Sequence, residues 1–88
     1  MKKLRRFWLS FEKIDRLTAL NLGCGVTAYD YDDAIDLLQN RVFIHEKIPK
    51  ITQCIEDVDV STLDPNHVLP NIGIVMARGI WFPKGYEQ

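Results

Sequence analysis

Apolar and polar residues alternate from Leu4 to Glu12. Phe7, Leu9 and Phe11 fall on one side of an extended chain, and Arg6, Trp8, Ser10 and Glu12 on the other. A period of two predicts a strand, because successive side chains of an extended backbone point to opposite faces. Leu22 to Tyr29 reads as a second strand. Within it, Gly23 and Gly25 flank Cys24, which points to a bulge or a close approach of another backbone. Between the two strands, Asp15 to Leu20 reads as a loop or a short turn of helix.

The period then changes. Tyr31, Ala34, Ile35, Leu38 and Val42 recur at three- and four-residue spacing, the signature of a helix with one apolar stripe. Asp30 is positioned to cap its first free N–H groups, and Asp32, Asp33 and Asp36 stand near the positive end of its dipole. These acids, with Gln39 and Asn40, lie largely outside the stripe, so the stripe is the face expected against a sheet.

After Pro49, Ile51 to Val60 predicts a third strand. Glu56, Asp57 and Asp59 make its polar face costly to bury, so its expected place is near a sheet edge. Asp64-Pro65 signals a helix start and predicts a single turn over residues 66–69, stopped by Pro70. A last strand is expected at Gly79 to Phe82, ended by Pro83. The order is ββαββ. It predicts an α+β fold, a small antiparallel sheet of three to four strands with one main helix packed on one face. The 88 residues support one hydrophobic core, and repeats and linkers are absent, so residues 1–88 are read as a single domain.

Composition narrows the functional classes. An apolar fraction of 47% and a charged fraction of 26% belong to a folded globular chain. The opening Lys-Lys-Leu-Arg-Arg is followed by an apolar run broken at Ser10 and Glu12, and no stretch approaches the roughly 18 apolar residues of a membrane helix. A cytoplasmic protein is therefore expected. Cys24 and Cys54 are read as reduced thiols. Neither they nor His45 and His67 show zinc-ligand spacing, so no metal or other cofactor is expected. The net charge is −1 but unevenly spread: residues 1–16 carry a balance of +4 and residues 30–64 one of −6. The domain lacks a basic footprint for nucleic acid.

Four constellations can be weighed for chemistry. Cys24 between glycines is sterically open to nucleophilic catalysis with His45 or His67 as base, but nothing nearby lowers a thiol pKa, and a buried strand cysteine is the simpler reading. Asp57, Asp59, Asp64 and His67 offer carboxylates beside a histidine. Here Asp64 serves more economically as a cap, Asn66 and Asn71 as turn residues, and His67 as a group bonded to nearby backbone. Arg6, Trp8, Trp81 and Tyr29 offer the elements of a stacking platform for single-stranded RNA, but the aromatics are better used as core beneath the segment from Ser61 to Ile72. The acids Asp32, Asp33 and Asp36 of the helix, with Glu56, Asp57 and Asp59 of the third strand, are the candidate partner-binding residues. If they converge, they attract a basic protein.

The runs Leu22-Gly23-Cys24-Gly25-Val26-Thr27-Ala28-Tyr29, His67-Val68-Leu69-Pro70-Asn71 and Arg78-Gly79-Ile80-Trp81-Phe82-Pro83 resemble those of small bacterial proteins, some of which look like immunity proteins of contact-dependent or polymorphic toxin systems. The resemblance runs from about Phe7 to Tyr86 and carries no catalytic motif. It implies a non-enzymatic protein that binds and neutralises a nuclease-type toxin. Two other classes compete with it: an RNA-binding module using Arg5, Arg6 and Trp8, and an enzyme dependent on Cys24.

Overall fold

The computed structural model describes residues 2–86. Strands β1 (Arg5–Phe11) and β2 (Cys24–Ala28) precede the helix α1 (Tyr31–Arg41), and β3 (Ile51–Glu56) and β4 (Gly79–Phe82) follow it. They form one antiparallel sheet in the order β3-β1-β2-β4. The fold is α+β, with β3 at an edge as its exposed acids require.

Asp30 caps α1 by accepting the Asp33 N–H at 2.8 Å. The buried face of the helix is Ala34, Leu37 and Leu38, with Ile35 and Val42 at its margin. The expected stripe is thus rotated slightly: Leu37 turns inward while Tyr31, at the first position, stays exposed. This face meets Phe7, Leu9, Cys24, Val26 and Ile80 of the sheet, which makes the main core.

The other sheet face is also covered. Trp8, Trp81 and Phe82 pack there against Val58 and Val68, with Val60, Leu63, Ile72 and Val75 around them. All come from the segment that links β3 to β4. A β-sheet buried on both faces explains why Trp8 and Trp81 are core residues, as the alternation in β1 allowed.

The glycines around Cys24 serve these indoles. A Cβ on Gly23 would stand 2.5 Å from the Trp8 ring, and one on Gly25 would fall within 2.5 Å of the Trp81 six-membered ring. Where another backbone was expected the closest approach is made by aromatic rings, with the Leu9 carbonyl 3.0 Å from the same point at Gly23, and the ladder shifts register between Gly25 and Val26, the bulge that was the other expectation.

Three boundaries depart from the sequence reading. β3 ends at Glu56 because Asp57 adopts φ of 54°, a left-handed conformation that aspartate tolerates better than most residues. Gly23, at φ of 134°, delays the start of β2 to Cys24. Pro70 does not stop the turn after Asp64. It sits inside a 3-10 turn, Leu69–Asn71, whose first positions need no N–H donor from proline.

Candidate functional site

The antiparallel register gathers many of the charged residues at one end of the sheet. Arg5 pairs with Ala28, Phe7 with Glu56, and Thr27 with Gly79, so the start of β1, the ends of β2 and β3 and the start of β4 all meet there. Neighbouring strands lie about 4.8 Å apart. Across this end the order of side chains is Glu56 and Asp57, then Arg5, then Asp30 and Asp33, then Arg78.

The two acidic sets therefore share one end but are interleaved with arginines. Arg5 grips Asp57 through two hydrogen bonds, Nε to Oδ1 at 3.1 Å and Nη2 to Oδ2 at 2.9 Å, and lies 3.7 Å from Glu56. Lys2 pairs with Asp30 at 2.9 Å. Arg78 donates to both oxygens of Asp33, stacks over the Tyr29 ring at 5.9 Å, and leaves the Asp33 side chain only 17% exposed. Asp33 also accepts the Tyr29 N–H at 3.0 Å. The Arg78 hydrogen bonds hold the Asp33 carboxyl below the usual carboxylate range, and the Arg5 hydrogen bond does the same for Asp57. Asp59 turns back onto Ser61, whose hydroxyl holds its pKa down. Among the described residues, only Asp32 and Asp36 of the six candidate acids make no side-chain hydrogen bond or ion pair. Three of the six, Asp33, Glu56 and Asp57, are thus already paired with arginines of the chain.

Asp57 and Asp59 nevertheless line an open cleft of about 570 Å3, shared with Arg6, Val60, Val75 and Met76. Its far wall is the segment leading into β4, which is fastened at three points. The Gly73 N–H donates to the Trp81 carbonyl at 2.7 Å. The buried Thr27 hydroxyl donates to the Val75 carbonyl at 2.6 Å. Arg78 closes the far end through Asp33. Between these fastenings Ile74 and Met76 stand 72% and 78% exposed. The backbone bends from Val75 to Arg78, and with the Gly73 N–H and the Val75 carbonyl tied to the sheet, the Ile74 and Met76 side chains are left in solvent.

The sequence reading did not find this pair. Ile72 to Met76 looks like the apolar lead-in to a core strand, and only the long-range bonds from Thr27 and Trp81 reveal which residues face solvent.

The remaining candidates are accounted for locally. Asp64 accepts the Asn66 and His67 N–H groups at 2.8 and 3.1 Å, a cap as expected, and its other oxygen meets His67 Nδ1 at 3.1 Å. The His67 ring thus bonds a carboxylate where backbone was expected. Cys24 is fully buried, and that burial pushes its thiol pKa up, away from reactivity. Neither Trp8 nor Trp81 is open to a stacking base. Among the described residues no group of three or more His, Cys, Asp or Glu is placed to hold a metal ion, and no helix is long and apolar enough to cross a membrane.

No family model matches the chain, and neither does a curated protein or a solved structure. The functional reading rests on the residues themselves.

Proposed function

We propose that this chain is a non-enzymatic binding protein, an immunity protein that neutralises a basic, nuclease-type bacterial toxin by masking it. The observation that carries the reading is the fastened segment beside the acidic cleft. Met76 lines that cleft together with Asp57 and Asp59, and Ile74, exposed on the same fastened segment, borders a second, smaller pocket beside Arg78. An interface gains most from apolar anchors whose ordering cost is met before binding, and from charges around them that repel wrong partners. The unmatched carboxylates of Asp32 and Asp36 add long-range attraction for a cationic surface. Asp33, tied to Arg78, contributes by holding the segment in place.

A secreted protein with a toxic carboxyl-terminal domain is expected in the neighbouring reading frame, and the test expresses that domain in cells with and without this chain. Growth arrest that the chain relieves supports the reading. Arrest that it leaves untouched overturns it. Within a protective pair, Ile74→Asp with Met76→Asp removes two anchors worth about 1.5–3 kcal/mol each on full burial, so affinity should fall roughly 100-fold or more. Loss of protection with an unchanged melting temperature is the expected result.

A further inference from the structure

We propose that the outer edge of β3 is a docking surface for the β3 of a second copy of this chain, the two strands running antiparallel across a two-fold axis. Among the described residues β3 pairs with β1 alone, so the backbone groups on its other side meet no strand. Thr52, Gln53, Ile55 and Glu56 are exposed along it. The opposite edge of the sheet is not equivalent, because at β4 the Gly73 N–H already occupies the Trp81 carbonyl.

An open row of N–H and C=O groups is a template for another strand, and proteins that avoid such pairing place charge, proline or a bulge on the edge. Here Pro49 stands before the strand, and the ladder shifts register between Ser10 and Phe11, which makes Thr52 the extra residue. Neither guard reaches Gln53 to Glu56, whose ladder with β1 is regular, and Thr52 to Ile55 carry no charge.

The charges at the two ends of the strand select the occupant. At its start Lys13, Lys47 and Lys50 outnumber Glu12 and Asp15, while Glu46 is taken by Arg16. Glu12 belongs to this end because its N–H donates to the Lys50 carbonyl at 2.9 Å. At its finish Glu56 and Asp57 outnumber Arg5, which grips Asp57 and stays 3.7 Å from Glu56, and beyond them Asp59 offsets Arg6. The edge is thus positive at one end and negative at the other. Lys50 and Glu56 stand about 20 Å apart along an extended chain, well beyond the roughly 8 Å screening length of physiological salt. A docking strand therefore meets each end separately.

A strand of uniform charge, such as one from a basic protein, is attracted at one end and repelled at the other. A parallel copy of β3 brings like ends together. An antiparallel copy, with the axis near Gln53, sets Lys50 against Glu56 twice. The two sheets then become one whose outer strands are the β4 edges, so association stops at the dimer. The regular stretch is short, and its interface falls below the 1,200 Å2 or so that stable complexes bury, so dissociation near about 100 μM is expected. This inference does not depend on the proposed function.

The experiment is sedimentation of the full chain over concentrations from about 5 to about 500 μM. The mass should rise from the 10.2 kDa of one chain toward twice that value. Over the same range, hydrogen exchange at residues 53–56 should slow. Lys50→Glu and Glu56→Lys each set like charges together at both ends of the pair, so either variant alone should associate at least about tenfold more weakly. Mixed in equal amounts, the two variants regain both attractions and should associate as the wild type does. Both positions are exposed, so each variant should melt close to the wild-type temperature at low concentration. A wild-type mass fixed at that of one chain overturns the proposal. So does association that leaves exchange in β3 unchanged, or a pair of folded variants that fail to associate when mixed.

Discussion

Gly25 lies under the fully buried ring of Trp81, and replacing it with alanine tests how tightly the second sheet face is packed. The added Cβ would fall within 2.5 Å of three ring carbons, closer than real contacts allow. The ring has little room to yield, because Trp8 lies 6.0 Å from it centroid to centroid and Phe82 packs on Trp8 at 5.5 Å. Overpacking typically costs about 1–3 kcal/mol, and a rigid buried indole argues for the upper end. For a chain this size 1 kcal/mol moves the melting temperature by about 4–8 °C, so about 3 kcal/mol predicts a fall of about 12–24 °C. Thermal melts followed by tryptophan fluorescence and near-UV circular dichroism read this directly. A double-mutant cycle isolates the contact: Trp81→Phe removes part of the clashing ring and also a buried indole N–H that has no partner among the described residues. The pair Gly25→Ala and Trp81→Phe should therefore be less destabilised than the sum of its single changes. A melting temperature within about 4 °C of wild type for Gly25→Ala, or strict additivity in the cycle, would refute the reasoning.

Other outcomes follow from the charged end and the thiols. The Asp33 carboxyl is held below its ordinary pKa by Arg78, so the stability it adds is present above about pH 4 and is lost as pH falls through the lower folded value. Asp33→Asn should cost about 1 kcal/mol at neutral pH, a figure kept small because Arg78 is 39% exposed, and should flatten the acid limb of a stability-versus-pH curve; an unchanged limb would show that the clamp adds nothing. Under native conditions a thiol reagent should modify part-buried Cys54 first and Cys24 only as fast as the protein unfolds, which mass spectrometry of digested samples resolves. Rapid labelling of Cys24 near neutral pH would revive a catalytic role for it. Thr27→Val removes the hydroxyl that fastens Val75 and should raise hydrogen exchange across residues 73–78 before it affects α1.

The elements of this fold were legible in the chain because each is written in local chemistry. Alternation marks β1, the Asp30 cap and three- and four-residue spacing mark α1, and a short apolar run ended by proline marks β4. Exposed acids put β3 at an edge, as found. What local pattern does not carry is the partner of each charge. Asp33 looks the same in sequence as Asp32 and Asp36, yet it alone meets Arg78, 45 residues away, and is taken out of the free acidic surface. The same holds for Asp57 and Arg5, brought together only because β3 lies beside β1. Whether Ile74 and Met76 point inward or outward is also set at long range, by the Thr27 hydroxyl donating to the Val75 carbonyl and the Gly73 N–H donating to the Trp81 carbonyl. Periodicity fixes which residues share a face, while the order of strands decides what that face meets. Exposed apolar anchors and unmatched charges, the properties that make a binding surface, exist only after that second step.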